Sequence, residues 1–191
     1  PPGHAPARRD DGHVGRHPNQ RPAASLPAEL RRTSVPGPVR DWVREATGSA
    51  VVRARRLPGA SSAALHRLDL ADGTAVVLRR YVWPGFLAAE PDAPDREATC
   101  LRFAGAKGLP VPALLAADPA GTAVGDGIPA LLTTLLPGQP VAVPDIAALA
   151  AVAASIHAVD ATDLGHEYFP WYEAEMTTPP PTTRQPRLWE Q

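Results

Sequence analysis

One cysteine stands in the whole sequence, Cys100, which excludes an internal disulfide and a zinc site built on thiolates, since both need several. Charge of one sign is equally lacking. Nineteen basic residues against 20 acidic ones leave a formal charge of −1, which gives no electrostatic case for binding nucleic acid or a membrane surface. No apolar run approaches the roughly 18 residues of a membrane span. The opening Pro1-Pro-Gly-His-Ala-Pro-Ala-Arg-Arg-Asp10 lacks the apolar centre of a secretory signal, so a cytoplasmic protein is the expectation. Lys107 is the one lysine and Asn19 the one asparagine, so nearly all positive charge is arginine. The first residue is Pro1 and not Met, which carries the expectation that the chain is a piece of a longer one.

What is plentiful is proline, 24 residues of it. Residues 1–38 hold many of these with Arg, Asp and Gly and show no apolar period, a mixture that buries too little to offset its ordering entropy. This stretch is expected to be a disordered Pro/Arg-rich tail. From Pro38 to Gly48 a helix is expected, with proline at its start, glycine at its stop, and Val39, Trp42, Val43 and Ala46 on one face.

The period then changes to two. Val51–Leu57, Ala64–Leu70 and Thr74–Val82 read as antiparallel strands, punctuated by Pro58-Gly59 and by the hairpin pair Asp72-Gly73. After a proline-broken loop, Asp95 is expected to cap a helix running from Arg96 to Ala106, closed by Gly108. Ala113–Ala117 and Ala130–Leu136 read as two further strands, with an Asp118-Pro-Ala-Gly121 turn opening the link between them. Beyond Leu136-Pro-Gly138, a helix beginning near Pro144 carries Ile146, Leu149, Ala150, Ala153, Ile156 and His157 on one stripe. Nothing in its own segment can cover that stripe, so Ile146, Leu149 and Ile156 are expected to lie bare and the chain to aggregate or unfold with weak cooperativity.

From about Trp42 to Trp189 the chain resembles the aminoglycoside phosphotransferase family, the kinase-like small-molecule phosphotransferases. The likeness is carried by Val76-Val-Leu-Arg-Arg80, Arg96-Glu-Ala98, Gly108-Leu-Pro-Val-Pro112, Leu114-Leu-Ala-Ala-Asp-Pro119, Leu136-Pro-Gly138 and the helix ending Ser155-Ile-His157. It implies an α+β fold: a protein-kinase-like N-lobe, a five-stranded antiparallel sheet plus helix, followed by the first helix of an incomplete helical C-lobe. The lobe is expected over 39–138 and binds nucleotide. Residues 139–191 are expected to form the hinge and the start of the second lobe. ATP, or another nucleoside triphosphate, with Mg²⁺ is the implied cofactor of the complete enzyme, and a small-molecule hydroxyl its acceptor.

Val77 and Arg79 are two apart on one strand and share a face, so if Val77 roofs a base, Arg79 points toward its phosphates. Kinases usually place Lys there, and the resemblance puts Arg79 in its role, a fork in place of a point charge. Taken alone, Arg79 is equally a solvated strand residue. Glu97 shares a helical face with Cys100, Leu101 and Ala104 and is the implied ion-pair partner of Arg79, although an acid in a first turn is also favoured by the helix dipole alone. Gly59, Ser61 and Ser62 lie where the family places its phosphate-covering loop, without the G-x-G-x-x-G pattern, and a plain hairpin loop explains them as well. Thr134 and Leu136 fall in the linker where the resemblance implies backbone hydrogen bonds to adenine. His157 ends its helix on the apolar stripe and reads as a structural histidine.

Kinase-type transfer needs a catalytic-loop Asp, an Asn for metal and a later metal-holding Asp. After Asn19 the sequence has no Asn, and only two residues separate Asp160 of His157-Ala-Val-Asp160 from Asp163 of Asp163-Leu-Gly165, which leaves no room for the intervening loop and strands. No catalytic or metal-binding residue is therefore assigned to this chain. It is expected to be the N-terminal part of a phosphotransferase, truncated before the catalytic loop and inactive as it stands. The alternative is a non-catalytic interaction module that keeps the small-lobe fold and uses Tyr168-Phe-Pro-Trp-Tyr172 and the proline-rich ends as contacts.

Overall fold

Strand order in the sheet is set by three hairpins and one longer link. The computed structural model describes residues 34–60, 62–138 and 145–165. Ser61, residues 1–33 of the expected tail, and Tyr168–Tyr172 lie outside them. The chain divides after Val159 into two units, and in the second the described part holds a single 3-10 turn, Thr162–Leu164.

Helix α1 runs Gly37–Thr47, with proline in its first turn, where no amide partner is needed, and Gly48 in the left-handed conformation (φ 72°) closing it on the Arg44 carbonyl. It buries Val39, Trp42 and Val43, and Val35, just before it, is buried too, so packing begins inside the stretch expected to be tail. Arg40 ties the helix to the sheet, donating from Nε to the Val35 carbonyl (3.1 Å) and from Nη1 to the Val51 carbonyl (3.0 Å).

Five strands follow, β1 Val51–Leu57, β2 Ala64–Leu70, β3 Ala75–Arg80, β4 Leu114–Asp118 and β5 Ala130–Thr134, in the order β1-β2-β3-β5-β4, every pairing antiparallel. This is the five-stranded sheet the sequence analysis expects. Alternation along β2 and β3 sorts residues to two faces. Leu68, Leu70, Val76, Leu78 and Leu132 meet α1 in the larger core, while Tyr81, Leu131 and Ala98 form a smaller one on the opposite face. Strand β5 is covered on both sides, which is why Ala130, Leu131 and Leu132 are all buried in succession.

Two departures from expectation surround the second core. Pro84–Ala89 forms a short helix, α2, where a loop is expected, because Pro84 occupies a first turn that needs no amide donor. Helix α3 begins at Ala93, three residues before the expected start, and Asp95 sits in its first turn and does not cap it. Pro94 again explains the early start. Arg96 fastens the α2–α3 corner, with Nη2 2.8 Å from Glu90 Oε2 and Nη1 2.7 Å from Asp92 Oδ2.

The link from β4 to β5 is built on Asp118, whose carboxylate accepts from the amides of Thr122 (2.9 Å) and Val124 (2.8 Å). Gly121 at φ 71° lies so close to the Gly127–Ile128 backbone that a Cβ would fall 2.3 Å from it, so no other residue fits. Helix α4, Ile146–His157, starts on Asp145, whose carboxylate accepts from the Ala147 and Ala148 amides. Its apolar stripe is bare, with Ile146 71%, Leu149 54% and Ile156 50% exposed. His157 is exposed as well, a correction to its reading as a core histidine: among the described residues nothing packs on that face.

Candidate functional site

The site begins with the alternation of β3. Val77 and Arg79 point to the face opposite the α1 core, and the antiparallel register sets Arg67 and Thr133 beside Val77, and Leu65 and Leu131 beside Arg79. Across this face runs α3, one turn of which carries Glu97 and Leu101. Together Leu65, Val77, Arg79, Glu97, Leu101 and Leu131, with Pro112 and the segment Thr133–Leu136, line an open cavity of about 330 Å³. Five of the residues singled out from sequence, Val77, Arg79, Glu97, Thr134 and Leu136, thus line one cavity. Gly59 and Ser62 lie in the β1–β2 connection and are not among its walls, and Lys107 closes α3 with its ammonium 5.2 Å above the Phe103 ring.

Arg79 Nε is 3.2 Å from Glu97 Oε2, both side chains about one-third exposed. The pairing is ionic. Its angle does not make a hydrogen bond, and Nε is buried without any acceptor among the described residues. The same carboxylate oxygen accepts a hydrogen bond from the Tyr81 hydroxyl, and the Arg79 guanidinium carbon lies 5.2 Å from the centre of the Tyr81 ring. Tyr81 was missed in the sequence analysis, although the signal was present: it continues the two-residue period of Val77 and Arg79. Leu65, Pro112 and Thr133 carried no such signal, because cross-strand register decides their place.

Burial, then the Glu97 hydrogen bond and the Glu97 charge, push the Tyr81 phenol well above its ordinary value. Below about pH 10 the phenol is neutral in folded and unfolded chains alike and contributes no pH dependence. Above that the unfolded chain ionises it and the folded chain does not, so stability falls as pH rises. Urea unfolding at about pH 9 and about pH 11 is expected to show a larger loss for the parent than for Tyr81→Phe, and equal losses would place the effect on other groups.

The adenine-side expectation needs one refinement. The Thr134 amide is engaged by the Ala113 carbonyl (2.9 Å), and its hydroxyl accepts from the Ala113 amide (2.9 Å), so Thr134 offers no free amide. Leu136, beyond the ladder and 49% exposed, makes no backbone hydrogen bond to another described residue.

The cavity therefore joins an apolar slot to a cation that is held but not saturated, and its volume lies at the lower end of the ~300–1,000 Å³ typical of small-molecule sites. Comparison with known proteins now decides the family. A family model described as the phosphotransferase enzyme family, APH, matches residues 53–188. The chain belongs to the phosphotransferase enzyme family. Among solved structures, a candidate aminoglycoside phosphotransferase from Ralstonia eutropha JMP134 superposes with a TM-score of 0.50 at 18% identity, over 67% of this chain and 39% of that one. That likeness concerns the fold, and it shows the kinase-like N-lobe. The chain spans well under half of that relative's length. No curated protein matches the sequence significantly. Among the described residues no helix is long and apolar enough to cross a membrane.

The cavity thus presents an apolar slot beside an arginine whose Nε has no hydrogen-bond partner among the described residues. Among the described residues no three His, Cys, Asp or Glu side chains gather to hold a metal ion.

Proposed function

We propose that the lobe holds a nucleoside triphosphate in the 330 Å³ cavity and is the nucleotide-binding part of an enzyme that transfers the terminal phosphoryl group to a hydroxyl of a small molecule. The observation that carries this reading is the convergence of Val77, Arg79, Glu97, Thr134 and Leu136 on that one cavity, from three separate stretches of sequence. In this reading Val77 and Leu136 sandwich the base and the Leu136 backbone meets its edge. Arg79, steadied by Glu97, receives the phosphates. Gly59, Ser61 and Ser62 close over them through the β1–β2 connection.

Arginine suits this role, since its planar fork binds phosphate oxygens in pairs. The bound nucleotide would supply the phosphoryl group. No side chain here is assigned as the base that accepts the hydroxyl proton, because Asp160 and Asp163 sit too close in sequence to be both catalytic and metal-binding. Asp160 is occupied locally, accepting from the Thr162 amide and hydroxyl. The reading thus has binding without turnover in this chain.

Thermal unfolding of the 191-residue chain with and without ATP and Mg²⁺ tests it. ATP is expected to raise the transition temperature, and Arg79→Ala to weaken ATP binding by at least about tenfold, the loss of charge-assisted hydrogen bonds. No stabilisation by ATP would favour the interaction-module reading. Phosphorylation of a small hydroxyl compound by this chain would show that a base had been overlooked.

A further inference from the structure

The Arg79 guanidinium is in an unusual state for a charged group beside a carboxylate. Its Nε is buried without a hydrogen-bond partner among the described residues, although Glu97 Oε2 lies 3.2 Å away. An arginine facing a glutamate ordinarily engages it with two parallel bonds, which would consume its donors. Here Glu97 Oε2 is taken by the Tyr81 hydroxyl instead. The ring of the same tyrosine supports the guanidinium at 5.2 Å. Tyr81 itself cannot drift: it is 2% exposed, its amide donates to the Pro129 carbonyl (3.0 Å), and its ring stacks on Phe86 at 6.2 Å.

We infer that Tyr81 is a positioning residue for the anion site, holding Glu97 by its hydroxyl and Arg79 by its ring so that Arg79 keeps its Nε–H for a polyphosphate. The inference rests on the nucleotide reading of the cavity. Three groups divide the work. Glu97 neutralises part of the half-buried charge of Arg79 and Tyr81 fixes Glu97. The π-face supports the guanidinium from one side. An unsatisfied buried donor is costly when nothing accepts from it, and a phosphate oxygen is an acceptor that satisfies it.

The test is calorimetric titration of the full chain with ATP and, separately, with adenosine. Tyr81→Phe keeps the ring and removes the hydroxyl. It is expected to weaken ATP about fivefold, the effect of one hydrogen bond in such a network, while leaving adenosine unchanged. A loosened fold would instead weaken both ligands, and that result would overturn the positioning role. So would a variant that binds ATP as the parent does while Arg79→Ala loses it, a result that leaves the nucleotide site standing. A parent that binds ATP no better than adenosine would remove the nucleotide reading and the role of Tyr81 with it. Should Tyr81→Phe fail to fold by circular dichroism, Glu97→Gln, which takes away the charge the phenol holds, must show the same ATP-selective loss, and its absence would overturn the inference.

Discussion

Truncation of Asp126 to alanine is expected to destabilise the lobe by about 3 kcal/mol, although the residue is on a loop and remote from the cavity. Arg80 follows Arg79 in sequence and therefore points to the opposite face of the sheet, where its side chain is only 6% exposed. Its Nη2 meets both carboxylate oxygens of Asp126, at 2.7 and 2.6 Å. Removing the carboxylate leaves a buried guanidinium with its charge uncompensated, and desolvation dominates the cost. Part of the loss comes from the loop, where Asp126 also accepts from the Ile128 amide at 3.1 Å. The control is the pair replacement Arg80→Met with Asp126→Ala, which removes both charges and is expected to restore most of the stability. Urea denaturation midpoints of the three proteins decide the matter. If the double variant is as unstable as the single one, the loop hydrogen bond and not the stranded charge is responsible.

Leu78→Ala is expected to cost a similar amount, about 3 kcal/mol, by a different route. Leu78 is 1% exposed, stands opposite Leu132 and His66 in the ladder, and packs in the core that α1 closes with Val39, Trp42 and Val43. The cavity left behind is lined from strands on one side and a helix on the other, so it cannot collapse without moving α1. The same substitution makes a prediction about binding. Leu78 lies between Val77 and Arg79 in sequence yet faces away from both, so ATP affinity measured well below the transition temperature is expected to be unchanged. A lowered affinity would mean that the two faces of β3 are mechanically coupled.

The sheet was legible because its signals are local. Strands β1 and β2 run over the residues expected, and Asp72-Gly73 supplies the turn from β2 to β3, Gly73 at φ 87° and Asp72 accepting from the Thr74 amide at 2.9 Å. Proline misled between β3 and α3, where a proline-broken loop is expected. Pro84 and Pro94 each sit in the first turn of a helix, the position at which the ring costs no hydrogen bond. Strand β5 ends at Thr134, two residues before the expected Leu136, since the apolar run continues after the ladder stops. In the site, the ion pair of Arg79 and Glu97 could be anticipated from periodicity and resemblance together. That Tyr81 would share the same carboxylate oxygen could not, because it depends on how α3 is set against the end of β3, a tertiary distance with no sequence period.

The near-absence of lysine has a practical consequence. Reagents that label a phosphate-binding lysine do so by attacking an uncharged amine, and a guanidinium offers none over the working range of pH. In this chain such reagents find one side-chain amine, Lys107, which stands over Phe103 at the far end of α3 and not on the cavity wall. A nucleotide analogue armed against amines would therefore leave the cavity unmarked, and arginine-directed dicarbonyls are the chemistry that can report on Arg79.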